Sequence, residues 1–229
     1  MTLPQIQHPI HSIKIPSTKK LHNFRPFLVR EEKILLMAKE GEDSEDMIKS
    51  IKQIVNNCCM DTNFNVDELT TTDLCYLFIR LRCLSVDSKV KQSYRDIEDE
   101  KIIEVEIDLN KVEIIQDKVV DNNIKLSKTM GIILKYPTAT NFNEEKGEYG
   151  LIPECIDKIY DGDEIFDPKT YPQKELIAWI DNLSVQHLEK INEFMANMPR
   201  LNYTIHYKNS LGHDRQIILS SLNDFFSWG

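Results

Sequence analysis

The chain has 229 residues, 41% hydrophobic and 28% charged, which supplies enough apolar material for a packed core and excludes a disordered or collagen-like chain. Its 28 Lys and Arg stand against 37 Asp and Glu, a formal charge of −9, so wrapping nucleic acid phosphate is not its main task. Apolar runs such as 34–38 and 132–134 fall far short of the ~20 residues of a membrane helix, and the opening MTLPQIQHPIHSIKIP lacks the basic start and unbroken apolar stretch of a signal peptide.

Residues 1–27 alternate apolar and polar around Ile13, Ile15, Leu21 and Phe24, with Pro16, Ser17 and Thr18 between them, which predicts a short hairpin. The period changes at Val29. REEKILLMAKE carries Glu31 and Glu32 in its first turn, where they suit the helix dipole, and stops before Gly41. A second helix opens at Ser44, with Met47, Ile48, Ile51, Ile54, Val55 and Cys58 at helical spacing. A third follows in TTTDLCYLFIRLRCLSV. There Thr72 is the expected cap, Leu74, Leu77, Phe78 and Leu81 pack, and Arg80 and Arg82 leave on other faces.

Beyond residue 95 the pattern turns to β. IIEVEIDLNKVEII alternates Ile103, Val105, Ile107 and Leu109 against Glu104, Glu106 and Asp108, and IKLSK and GIILKYP read as further short strands of one meander. NFNEEKGE at 141–148 has the polarity of an exposed loop. Helices are expected in IPECIDKIY, in QKELIAWIDNL after Tyr171 and Pro172, and in SVQHLEKINEFMANM, capped by Ser184 and ending at Met198. LNYTIHY and RQIILSSL form a closing hairpin, and DFFSWG is an aromatic tail. The fold class is therefore α+β: an N-terminal hairpin and three-helix unit at 1–95, a central antiparallel meander at 96–140, and an acidic helical unit with a closing hairpin at 141–229. Residues 1–40 hold seven basic and three acidic side chains, and 141–199 hold five and thirteen, an asymmetry that reads as solvated faces or as complementary patches for assembly with neighbouring subunits.

Motifs for chemistry are scarce. Five cysteines without a CxxC read as free thiols in a reducing compartment, and no cofactor or metal is expected. Asp157, Asp161 and Gly162 fit the first half of a calcium loop, but Ile159 and Pro168 break it, so a turn at Asp161 and Gly162 that ends a helix and inserts Ile165 and Phe166 into the core is preferred. His206 and His213 approach across the predicted hairpin with only Asp214 beside them, and neither Cys155 nor His187 is marked as activated. No GxSxG, Walker loop, GxGxxG or HExxH occurs. The best carboxylate pair for glycosidic cleavage is Glu164 with Asp157 or Asp163.

RPFLVREEKILLMAKE (25–40) and TTDLCYLFIRLRCLSV (71–86), followed in order by CIDKIYDGDEIFD, HLEKINEFMANMPRL and YTIHYKNSLGHDRQIILSSLNDFF, resemble the baseplate hub family of T4-like contractile-tailed phages over about residues 13–226. The resemblance implies a non-enzymatic hub subunit or hub assembly factor in the infected host cytoplasm or the tail baseplate. Its partners would be other phage baseplate hub proteins or a second copy of the chain, with no nucleic acid and no membrane span. The residues expected to bind partners are Arg25, Phe27 and Arg30 at the basic start of the first helix, Arg80 and Arg82 on the third, and Phe225, Phe226 and Trp228 at the end. The competing reading pairs Arg80 and Arg82 with Glu31 or Glu32, or docks the tail on the core; if the tail is interface, removing 224–229 leaves a folded chain that no longer joins hub complexes. The alternative function is a hub-associated peptidoglycan hydrolase built on Glu164.

Overall fold

The computed structural model describes residues 4, 6–40, 44–139 and 147–226. Helices and antiparallel sheets are mixed, so the class is α+β. The chain divides into two units, one of 1–115 with 200–229 and one of 116–199. This differs from three consecutive segments because a strand at 200–208 returns to pair with residues 113–115.

The first unit opens with β1 (His11–Lys14) and β2 (Leu21–Phe24), paired antiparallel with His11 opposite Phe24. Alternation turns Ile13, Ile15 and Phe24 inward. The loop between the strands has no glycine, and Lys19 takes φ 59 there. Buried Asp73 holds that loop by accepting from the Ser17 amide at 3.0 Å and the Ser17 hydroxyl at 2.5 Å.

Three helices follow: α1 (Val29–Glu40), α2 (Ser44–Cys58) and α3 (Thr71–Ser85). In α2, Ile51, Ile54, Val55 and Cys58 recur at helical spacing and are all fully buried. The cap of α3 is Thr70 rather than Thr72. Thr70 stands three residues before Asp73, the spacing of a reciprocal cap, and its hydroxyl both accepts from the Asp73 amide (3.1 Å) and donates to the Asp73 carboxylate (2.8 Å).

β3 (Lys89–Arg95) and β4 (Ile102–Asp108) form a second hairpin. The antiparallel strands of residues 102–134 are divided among three sheets. β5 (Glu113–Ile115) instead joins β10 (Arg200–Lys208), which pairs in turn with β11 (Asp214–Leu219). The unit closes on α7 (Leu222–Phe225).

The second unit is a four-stranded antiparallel sheet in the order β6 (Asn123–Lys125), β7 (Met130–Leu134), β8 (Ile156–Asp161) and β9 (Glu164–Phe166). The helix expected through IPECIDKIY breaks in its middle: α4 (Gly147–Cys155) ends at Cys155, and residues 156–161 pair with β7. Gly162, at φ 59, opens a two-residue turn between β8 and β9, a position at which a left-handed backbone favours glycine. Ile165 therefore lies on a strand and is 68% exposed rather than inserted in the core. α5 (Gln173–Ile180) follows Pro172, and α6 (Val185–Ala196) is capped by Ser184, stopping two residues before Met198. Ile124, Ile132, Leu134, Ile152, Ile156, Leu176, Ile191 and Phe194 make one core, with Tyr136 stacked on Phe194 at 5.2 Å.

Gly131, opposite Tyr160 on β8, shows how tightly this sheet is built. A Cβ there would collide with the Tyr160 hydroxyl and lie 2.9 Å from the Ile124 carbonyl oxygen. The tyrosine can swing away by giving up its 2.8 Å hydrogen bond to Asn123, but the carbonyl belongs to β6 and cannot. Gly131→Ala is expected to destabilise the second unit by about 1–3 kcal/mol, read as an earlier thermal transition in the fluorescence of Trp179.

Candidate interaction surface

The residues just before α1 do opposite things although they look alike in sequence. Arg25 is buried, and its guanidinium forms a two-pronged pair with fully buried Glu31, at 2.9 and 3.1 Å. It also donates to the carbonyls of Pro26 (2.9 Å) and Asn57 (2.8 Å), binding the start of α1 to the end of α2. Glu31 accepts from the Leu28 amide at 2.9 Å, the N3-to-N-cap half of a capping box, and from Arg30 Nε at 2.8 Å. Burial works to raise the Glu31 carboxyl, but Arg25, the Leu28 amide and Arg30 outweigh it and hold it at about 2. Arg25 is thus an interior strut rather than part of an exposed basic face. Cys58, 3.7 Å from Arg25, is pushed up to about 12 by burial and is an inert thiol.

Phe27 is also interior. Its ring packs 5.7 Å from that of Phe78, and its amide donates to Ser85 Oγ at 2.7 Å. Arg80 and Arg82 pair with neither Glu31 nor Glu32. Arg80 lies 4.8 Å over the Tyr76 ring and donates to the carbonyls of Asn110 and Val112, both at 3.0 Å, strapping α3 to the turn before β5. Arg82 donates to the Asp87 carbonyl at 3.3 Å. Phe225 is fully buried, and Phe226 meets Phe78 edge-on at 5.9 Å. Gln92 and Tyr94 of β3 donate to the carbonyls of Phe225 and Asp224, at 3.0 and 2.7 Å. The tail therefore packs on its own unit through Phe226, with Phe225 buried and Phe226 half-buried, against the reading in which these two rings face a partner; Trp228 lies outside the described residues.

The opposite face of α1 is exposed. Val29 (74% exposed), Leu36 (52%) and Met37 (72%) lie within about 100° of one another around the helix, with Lys33 between them and Arg30 at the margin. Glu31 and Ala38 occupy the buried side. Unlike α2, α1 is apolar on both sides, the pattern of a helix covered all round, yet among the described residues only one side is covered. Lys14, Lys19 and Lys20 of the first hairpin and its loop are exposed as well.

Asp161 and Glu164 are cross-strand partners, and Asp157 stands four residues up β8 from Asp161, so its backbone is about 13 Å from that pair. Asp157 also faces Lys135 Nζ at 3.4 Å, and Asp163 and Glu164 lie in and beside an exposed turn. His206 stands opposite Gln216, while His213 bonds Glu98 at 2.8 Å, so those histidines do not form a metal pair. Cys155 is buried and pushed up to about 11, contrary to an activated nucleophile. No helix of the described residues is long and apolar enough to cross a membrane.

The arrangement is that of a protein whose charged and aromatic groups lock its fold while one helix turns an apolar face outward. The family model described as T4 bacteriophage base plate protein matches residues 8–227, and the chain belongs to that family. No curated protein and no solved structure matches the chain.

Proposed function

We propose that this baseplate protein acts in the hub, as a hub subunit or hub assembly factor, by protein association and without chemistry of its own, during tail assembly in the host cytoplasm. The observation that carries the reading is the exposed apolar row of Val29, Leu36 and Met37 on a helix whose other side is fixed by the Arg25–Glu31 pair. Three large apolar side chains on one rigid face supply the centre of an interface, and Arg30, Lys33 and the hairpin lysines supply a basic rim. The partner that fits is another baseplate hub protein with an apolar patch edged by carboxylates.

Leu36→Glu combined with Met37→Glu places charge on solvent-facing positions, so the fold and its thermal midpoint should hold. Affinity for the hub complex should fall about 30-fold or more, as when an interface loses a dominant contact. The measurement is co-purification from cells expressing the hub proteins together. Undiminished co-purification of the double variant would reject this face, and a shift in the size of the isolated chain would identify a second copy as the occupant. Presence in finished tails marks a subunit, and confinement to the assembling lysate marks an assembly factor.

A further inference from the structure

A second site lies where β2 meets the end of α2. The segment after α2 runs as a short extra strand beside β2: the Arg25 amide donates to the Cys58 carbonyl (2.9 Å), the Met60 amide donates to the Asn23 carbonyl (2.8 Å), and Phe24 and Cys59 form an antiparallel bridge. That pairing brings together His22, Cys59 and Asp61, whose candidate ligand atoms all lie within 4.8 Å of one another. His22 Nδ1 is 3.0 Å from Asp61 Oδ2, and the His22 ring is buried edge-on against Phe64 at 5.2 Å. The Asp61 carboxylate is oriented by the Asn23 amide and side chain, each at 3.1 Å.

We propose that His22, Cys59 and Asp61 bind a divalent transition-metal ion of the zinc class, with water as the fourth ligand. One imidazole, one thiolate and one carboxylate form a donor set that suits zinc and disfavours calcium and magnesium, which take oxygen alone. Ligand atoms on a shared tetrahedral zinc stand about 3.3–3.6 Å apart, so the imidazole and carboxylate are already close to that spacing, and the Cys59 sulfur lies within 4.8 Å of both. The backbone pairing holds all three residues before any ion arrives, which lowers the ordering cost of binding. Cys58 is excluded as a ligand because its sulfur faces the Arg25 guanidinium. Binding through the Cys59 thiolate releases one proton to solvent. The ion would tie the first hairpin to the end of α2.

Titration of the full chain with Co2+ tests this directly. The expected result is a thiolate-to-cobalt charge-transfer band and visible d–d bands that saturate at one equivalent and are bleached by Zn2+. Cys59→Ser should abolish the charge-transfer band, and His22→Gln should weaken Zn2+ binding by about a hundredfold or more. Zn2+ should raise the thermal midpoint of the parent chain and leave that of Cys59→Ser unmoved. Absence of the band in the parent chain under excess Co2+ would overturn the site, as would a band that survives Cys59→Ser. These readouts concern metal alone and stand whether or not the α1 face binds a hub protein.

Discussion

Glu31→Gln is expected to cost about 3–5 kcal/mol of stability, because it leaves the Arg25 guanidinium buried with no opposing charge. The amide still accepts from the Leu28 amide, so the loss reports the ion pair more than the cap. The same pair sets an acid limit. The folded carboxyl titrates at about 2 against an ordinary value of 4.5. Its contribution is therefore complete above about pH 4.5 and is lost as pH falls toward 2, a difference of about 3 kcal/mol across that window. Urea unfolding followed from pH 7 to pH 2.5 should show this decline in the parent chain and a flatter profile in Glu31→Gln. Equal slopes for the two proteins would show that other carboxylates set the limit.

Phe225→Ala should be comparably costly, about 3–5 kcal/mol, since the ring is fully buried and its loss leaves a cavity. Removing 224–229 should be worse, for Gln92 and Tyr94 then lose both carbonyl acceptors as well. Denaturant midpoints and near-UV circular dichroism measure both effects. A truncated chain with the parent midpoint would mean that the Phe225 side chain contributes little to the first unit despite its burial.

These two residues mark where the sequence was legible and where it was not. Periodicity exposed α2 and α6 because their apolar residues fall on one stripe, and the hairpins at 11–24 and 200–219 because alternation there is bounded by turn residues. It failed for β3, whose KVKQSYR has Val90 as its one aliphatic residue and whose inward Gln92 and Tyr94 serve as hydrogen-bond donors to α7. It failed for β8 because a helix and a strand abut at Cys155 and Ile156 with no breaking residue between them.

At the site, Arg25 and Arg30 look equivalent as basic residues before a helix. Only their placement separates an internal strut from a surface charge, and the reach to Asn57 across 32 positions is invisible to any local pattern. His22 and Cys59 are likewise far apart in sequence and meet through a single bridge. The apolar row on α1 was readable in principle. VREEKILLMAKE has more apolar positions than one buried stripe needs, and the excess is what faces outward.

The return of β10 to β5 has a consequence for synthesis. Ile115 and Arg200 are direct partners, so the 84 residues of the second unit leave and re-enter the first through a doorway about 5 Å wide. On a ribosome the inserted unit is complete before its host is. Phe78 must wait, without the Phe226 ring that meets it edge-on, until residues 200–226 have emerged. A baseplate protein built this way closes its first unit only once residues 200–226 have been translated.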